Sequence, residues 1–73
     1  MPEHQLDCKG LKCPMPIVKI SKQMRKMASG DVLVVEATDP AFRADLDAWI
    51  KRFGHELRSV DEGSCIRATL VKA

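Results

Sequence analysis

Aromatic residues are scarce in this sequence, which has no tyrosine, one tryptophan and two phenylalanines among 73 residues. Aliphatic side chains and methionine must therefore fill most of the core. A chain of this length forms a single domain over residues 1–73, near the lower size limit at which a hydrophobic core alone supports a fold. So few rings leave no evident platform for stacking nucleic-acid bases, and we expect no direct binding of nucleic acid.

Long apolar runs are also absent. No stretch of the sequence could span a bilayer, and residues 1–5 have neither the basic start nor the apolar run of a secretory signal. These absences predict a protein that does not associate with membranes and is located in the cytoplasm.

Cysteine occurs three times, an odd number that excludes complete internal pairing. In a reducing cytoplasm thiols usually serve catalysis, metal binding or core packing, so we expect no disulfide framework. His4 and His55 could in principle join Cys8 and Cys13 around a metal. However, the short paired cysteine spacings typical of structural zinc sites are missing. We predict no metal and no cofactor.

Neither sign of charge dominates the whole chain, which has a formal net charge of +2, but the two signs are unevenly distributed. Acidic residues outnumber basic ones from Asp31 onward, whereas the first part is basic. Its basic residues are Lys9, Lys12, Lys19, Lys22, Arg25 and Lys26. This pattern predicts a basic face, which could be a solvated helix surface, a docking surface for an acidic protein or a contact for an RNA backbone.

Isolated glycines and prolines divide the chain into six short elements in the order βαβαββ. Strands are predicted at residues 4–8, 32–35, 56–60 and 65–71. The second of these is a continuous β-branched and aliphatic run, which is typical of a strand in the centre of a sheet. A hairpin turn is predicted at residues 61–64, where Gly63 could adopt a positive φ.

Two amphipathic helices complete the pattern. The first is predicted from Pro14 to Met27, with a stop at Ser29-Gly30, and the second follows Asp39-Pro40 and ends at Gly54. We expect Asp39 to cap the second helix. Apolar stripes on both helices predict an α/β two-layer sandwich of the α+β type, in which both helices cover one face of a mixed four-stranded sheet.

Cys13 lies directly before Pro14, which places its side chain at the predicted N-cap of the first helix. A helix N-terminus favours thiolate over thiol, so we expect a lowered pKa and a reactive sulfur. Pro14 and Pro16 have no N–H and stiffen the helix entrance, which leaves the N–H groups of Met15 and Ile17 to donate to the sulfur. Lys12 adds a nearby positive charge, and Gly10 allows the loop to turn.

The machinery of a complete enzyme is not evident around this cysteine. No histidine adjoins Cys13 in sequence, and a chain this short has little room for a substrate pocket. A reactive thiol without acid, base or pocket suits transfer of a group between larger proteins that supply these parts. We therefore predict a sulfurtransferase-type carrier and not a stand-alone enzyme.

Several segments of the chain carry a family resemblance that spans nearly its whole length. They are Leu6-Asp7, Gly10-Leu11, Cys13-Pro14-Met15-Pro16, Asp39-Pro40 and Gly54-His55-Glu56-Leu57. With these motifs the sequence resembles the TusA/SirA/YedF family of small sulfur-carrier proteins. The Cys-Pro-x-Pro element with its Asp-x-x-Gly lead-in is the most specific of them.

The resemblance implies a compact βαβαββ fold in which Cys13 accepts sulfane sulfur, as a persulfide, from a cysteine desulfurase or a rhodanese-like donor. The sulfur then passes to a downstream acceptor protein. In different branches of the family this acceptor serves tRNA thiolation, molybdenum-cofactor maturation or sulfur oxidation. The residues Gly10, Lys12, Pro14, Met15 and Pro16 would support the site, and Met15 could be an apolar contact for a partner.

The other two cysteines exceed the minimal single-cysteine pattern of the family. We favour core packing for Cys8, although it could be a second, resolving thiol for Cys13, and we assign no role to Cys65. Two alternatives therefore remain beside sulfur carriage. One is a thiol-based redox or regulatory module that uses Cys8 and Cys13, and the other is a small module that binds RNA or protein through the basic face.

Overall fold

The structure is a computed structural model that describes residues 3–73, and it contains the six predicted elements in the predicted order. The strands are β1 (Glu3–Cys8), β2 (Val32–Ala37), β3 (Glu56–Glu62) and β4 (Ile66–Val71). The helices are α1 (Met15–Arg25) and α2 (Phe42–Phe53). No helix among these residues is long and apolar enough to cross a membrane.

The four strands form one mixed sheet in the order β1-β2-β4-β3. β1 and β2 are parallel and are joined by α1, while β4 runs antiparallel to both β2 and β3. Parallel neighbours need such a crossover connection, and a helix is its usual form. β2 is therefore a central strand, as its apolar run predicts.

One face of this sheet carries the core. Leu33, Val35 and Ala37 of β2 are fully buried, whereas the residues between them are half-buried, because both helices cover the same face and leave the other without a layer. The two helices also contact each other, and Trp49 Nε1 of α2 donates to Ser21 Oγ of α1 over 3.1 Å. The predicted two-layer α+β sandwich is confirmed.

The boundaries of several elements differ from the predicted ones. α1 begins at Met15, one residue later than predicted, and ends at Arg25, because the backbone of Lys26 closes the last turn onto Gln23 and Met24. β3 extends to Glu62, so the hairpin tightens to residues 63–65, where the Gly63 N–H donates to the Cys65 carbonyl over 3.1 Å. Gly63 has no positive φ in this turn.

Candidate functional site

The loop that carries Cys13 follows the C-terminal end of β1. Gly10 adopts φ 82°, a conformation that glycine accepts without a steric penalty. The turn is closed by the Leu11 N–H, which donates to the Cys8 carbonyl over 3.2 Å. The Lys9 N–H donates to Asp7 Oδ1 over 2.9 Å. Local hydrogen bonds thus fix how the chain leaves the sheet.

A second loop, between β2 and α2, holds the first one in place. Cys8 pairs with Ala37 in the parallel register, so the loops that follow β1 and β2 leave the sheet side by side. The Gly10 N–H donates to Thr38 Oγ1 over 2.9 Å, and the Cys13 N–H donates to Asp39 Oδ2 over 2.7 Å. The backbone of Cys13 is therefore anchored to a neighbouring element.

Asp39 does not cap α2 in the manner the sequence predicts. The N-cap of α2 is Ala41, and Asp39 lies two residues before it. Its Oδ1 accepts the Ala41 N–H over 3.2 Å and its carbonyl accepts the Phe42 N–H over 3.0 Å. Asp39 thus links the start of α2 to Cys13.

The prediction that Cys13 is the N-cap of α1 is wrong by one residue, since Pro14 occupies that position. The Cys13–Pro14 peptide bond is cis. The Met15 N–H, one of the two donors predicted for the sulfur, donates instead to the Lys12 carbonyl over 2.9 Å. The helix terminus therefore offers Cys13 less stabilisation than the sequence suggests.

The expected lowering of the Cys13 pKa is also wrong in direction. A hydrogen bond to the Asp45 carboxyl raises the pKa of Cys13, and partial desolvation and the charges of Asp45 and Asp39 raise it further. A negative neighbour opposes ionisation of a thiol because the product would be a second negative charge. The nearby carboxylates therefore oppose, and do not assist, ionisation of the Cys13 thiol.

The surface around the thiol is open and partly apolar. Cys13, Lys12 and Pro14 are exposed, and Met15 is 46% exposed, which is unusual for a large apolar side chain. Pro16 is fully buried and fixes the first turn of α1 to the core. The site therefore presents its sulfur on an exposed surface.

Comparison with known sequences identifies the family. A family model described as Sulfurtransferase TusA matches residues 4–72. The chain belongs to the TusA family. This membership supports a role in sulfur relay, in agreement with the resemblance drawn from the Cys-Pro-x-Pro segment.

Several curated sulfur carriers are similar to this TusA-family chain. The putative sulfur carrier protein YrkI of Bacillus subtilis is 47% identical over 68 residues, covering 92% of this chain and 91% of that protein. The sulfur carrier protein TusA of Allochromatium vinosum is 47% identical over 62 residues, which are 84% of this chain and 82% of that protein. The putative sulfur carrier protein YrkF of Bacillus subtilis is 50% identical over 68 residues, but the chain spans only 37% of its length.

The three cysteines of this family member lie in different environments, and all are free thiols. Cys8 is fully buried in the core, and burial raises its pKa. Cys65 is half-buried, with its Sγ 3.9 Å from Glu36 Oε2. Cys13 is the exposed thiol of the three.

A shallow groove of about 240 Å³ lies at the other end of the helix layer. It is lined by Ser21, Met24, Arg25, Trp49, Phe53, His55 and Lys72. Trp49 stacks on His55 with ring centroids 4.9 Å apart and is 9% exposed, so most of its side chain packs in the core. Ser21 to Arg25 form the last turns of α1, so the groove is separate from the Cys13 loop.

Sequence analysis did not identify Thr38 and Asp45 as parts of the site. Both are distant from Cys13 along the chain, and neither belongs to a recognisable motif. The signal that could have revealed them is topological. In a parallel β-α-β unit the loops after both strands meet at one sheet edge, so the first turn of α2 must lie close to the Cys13 loop.

Among residues 3–73 no cluster of three histidine, cysteine, aspartate or glutamate side chains is arranged to bind a metal. The polar groups around Cys13 are instead two carboxylates and one hydroxyl, from Asp39, Asp45 and Thr38. Thr38 and Asp39 hold the backbone of the Cys13 loop in place. These groups suit a loop that positions a thiol.

Proposed function

We propose that this TusA-family protein carries sulfane sulfur as a persulfide on Cys13. It accepts the sulfur from a cysteine desulfurase or a rhodanese-like donor and passes it to an acceptor protein. The observation that carries this proposal is that Cys13 is the one exposed thiol, in a loop whose backbone is anchored by Thr38 and Asp39. An anchored and accessible sulfur can enter the active sites of two different partners in turn.

The chemistry is thiol–persulfide exchange. The Cys13 thiolate attacks the outer sulfur of the donor persulfide, and the donor leaves as its own thiolate. The thiolate is the nucleophile, so the carrier must lose a proton before it reacts. Within residues 3–73, His4 lies against Asp31 and His55 stacks on Trp49, so neither histidine is placed to serve as a base for Cys13. We infer that the partner proteins complete the catalytic machinery and that the carrier is not a stand-alone enzyme.

The acceptor would serve tRNA thiolation, molybdenum-cofactor maturation or sulfur oxidation in the cytoplasm. A TusA-type carrier with an open, partly apolar rim formed by Met15 and Pro14 can present its sulfur to any of these acceptors. Supplying purified acceptors of each kind with the loaded carrier, and following loss of the added sulfur, would identify the pathway.

Intact mass spectrometry tests the proposal directly. Wild type and Cys13→Ser are incubated with a cysteine desulfurase and cysteine, with and without reductant. Wild type should gain one sulfur atom that reductant removes, and Cys13→Ser should gain none. Cys65→Ser is the matched control and should load like wild type, since Cys65 is half-buried beside Glu36. Full loading of Cys13→Ser would refute the assignment.

The redox alternative with Cys8 is less well supported, because the fully buried Cys8 side chain offers no surface to an oxidant or to a partner thiol. The same mass spectra decide this point. An internal Cys8–Cys13 disulfide after mild peroxide treatment would lower the mass by two hydrogens, and we expect no such species.

A further inference from the structure

The groove at the far end of the helix layer has an aromatic wall. Trp49 and Phe53 both line it, with their ring centroids 5.7 Å apart. Trp49 is mostly buried, but Phe53 is 55% exposed, which is unusual for an aromatic side chain. A tryptophan held in place beside an open phenylalanine gives an apolar ligand a ready surface for ring packing.

The polar side chains that line the groove are mainly hydrogen-bond donors. Arg25 and Lys72 are cationic and have donors only. Ser21 Oγ accepts the indole N–H of Trp49 over 3.1 Å, so its hydroxyl hydrogen remains for a ligand. The groove therefore suits a ligand whose polar group accepts hydrogen bonds.

Hydrogen bonds within the protein hold two of these donors in place. Lys72 Nζ donates to the Met27 carbonyl over 2.6 Å, which fixes the ammonium group and leaves it two further N–H bonds. His55 Nδ1 accepts the Ala73 N–H over 3.1 Å, so the neutral ring carries its hydrogen on Nε2 and is a donor there. The donors are thus positioned before any ligand binds.

The charge around the groove is positive. Among residues 3–73, no aspartate or glutamate lines it. Both helices end there with a basic last turn, formed by Lys22 and Arg25 in α1 and by Lys51 and Arg52 in α2. These cations offset the negative ends of the two helix dipoles, which would otherwise repel an anion. The groove therefore attracts a negatively charged ligand.

We propose that this groove binds a small aromatic carboxylate. The ring of the ligand packs against Trp49 and Phe53, and its carboxylate accepts hydrogen bonds from Arg25 and Lys72. The groove volume of about 240 Å³ is below the ~300–1,000 Å³ of pockets for drug-sized ligands, so it admits one or two fused rings. This binding function is separate from the Cys13 loop and does not depend on sulfur carriage.

The test is an NMR titration of the isotope-labelled chain with three probes that share one ring system. They are anionic naphthylacetate, neutral naphthylacetamide and cationic naphthylethylamine. Naphthylacetate should shift the Trp49 indole N–H and the backbone amides of Arg25 and Phe53 until they saturate, while the Cys13 amide stays in place. The amide probe should bind roughly tenfold more weakly because it lacks the charge, and the amine should not bind. High salt should weaken the binding of naphthylacetate.

Two variants separate the charge from the ring contact, and both change exposed side chains. Arg25→Gln should weaken naphthylacetate binding roughly threefold to tenfold and reduce its advantage over naphthylacetamide. Phe53→Ala should weaken both of these probes by a similar factor, because both lose the same ring packing. Lys19→Gln is the matched control. It removes an exposed cation of α1 that does not line the groove, so its affinity should stay within about twofold of wild type.

Several results would overturn the proposal. They are no saturable shift with naphthylacetate, equal affinity for the three probes, shifts centred on the Cys13 loop, or equal losses in Arg25→Gln and Lys19→Gln. A short acidic peptide with one phenylalanine is titrated in parallel. If the peptide binds at the groove and naphthylacetate does not, the groove is a docking surface for a protein and the proposal is wrong. The probe series in wild type decides the matter even if a variant does not fold.

Discussion

At the scale of single residues, Asp39 has the largest structural role in the site, because each of its carboxylate oxygens serves a different element. Oδ2 accepts the N–H of Cys13, and Oδ1 accepts the N–H of Ala41 just before α2. Hydrogen bonds to charged acceptors are stronger than those between neutral groups. One side chain thus joins the reactive loop to the second helix.

Replacement of Asp39 should therefore loosen the site as well as lower stability. Asp39→Ala leaves two backbone donors without their acceptor, and we expect it to lower the free energy of unfolding by about 1–3 kcal/mol in urea titrations. Asp39→Asn should recover only part of this loss, because its amide NH₂ would face one of the two N–H groups. Asp47→Ala, which removes an exposed pair with Arg43, should change stability by less than about 1 kcal/mol. Equal effects of Asp39→Ala and Asp47→Ala would contradict the bridging role.

The position of Cys13 could be predicted from sequence, but its electrostatic environment could not. Proline and glycine punctuation identifies the helix entrance locally, so Cys13, Pro14 and Pro16 are recognisable without a structure. Asp45 lies 32 residues from Cys13 along the chain, and only the parallel pairing of β1 with β2 brings them together. The sequence predicted a lowered pKa for Cys13, but the pKa is raised, chiefly by Asp45. The helix terminus does not offset this effect, because the Met15 N–H donates to the Lys12 carbonyl and not to the sulfur.

At the scale of elements, α1 holds the site to the sheet through one buried stripe. Ile20 is fully buried, Met24 is 4% exposed, and Val18 on the opposite side is 36% exposed. The helical spacing of these apolar residues made the burial of Ile20 and Met24 predictable. The helix ends were less predictable, because hydrogen bonds from Met15 to Lys12 and from Lys26 to Gln23 close the terminal turns.

The difference between the two sides of α1 can be measured with one pair of variants. Ile20→Ala removes a fully buried side chain and leaves a cavity, so we expect a loss of about 2–5 kcal/mol in the free energy of unfolding. Val18→Ala on the exposed side should change stability by less than about 1 kcal/mol. Similar losses from both variants in urea titrations would mean that α1 does not pack against the sheet as described.

At the scale of the whole molecule, the fold places its reactive loop and its aromatic groove at opposite ends of the helix layer. The overall architecture was predictable because each element has its own period and its own boundaries in sequence. The detail of β3 was not, since its extension to Glu62 and the irregularity between Leu57 and Ser59 arise from pairing with β4. Such register effects have no local signal in the sequence.

The groove also makes the stability of the whole protein depend on pH. Burial lowers the pKa of His55, and the charge of Lys72 lowers it further. The Ala73 N–H donates to His55 Nδ1 over 3.1 Å, an interaction that requires this nitrogen to be unprotonated. Protonation of His55 would end this hydrogen bond and place a positive charge against the Trp49 ring stack.

The unfolded chain binds a proton at His55 near the usual pKa of 6.5, and the folded protein binds it only at lower pH. Between the folded and unfolded pKa values of His55, the unfolded state therefore binds more protons than the folded state. The contribution of His55 to the free energy of unfolding is fully present above this pH range and is lost as the pH drops through it. Asp31, whose pKa is lowered chiefly by the Ala28 N–H, adds a second loss below its usual value of 3.8. Urea titrations followed by circular dichroism should show both declines. In His55→Gln the first decline should become shallower while the second remains, and parallel profiles for the variant and wild type would show that His55 does not couple stability to pH.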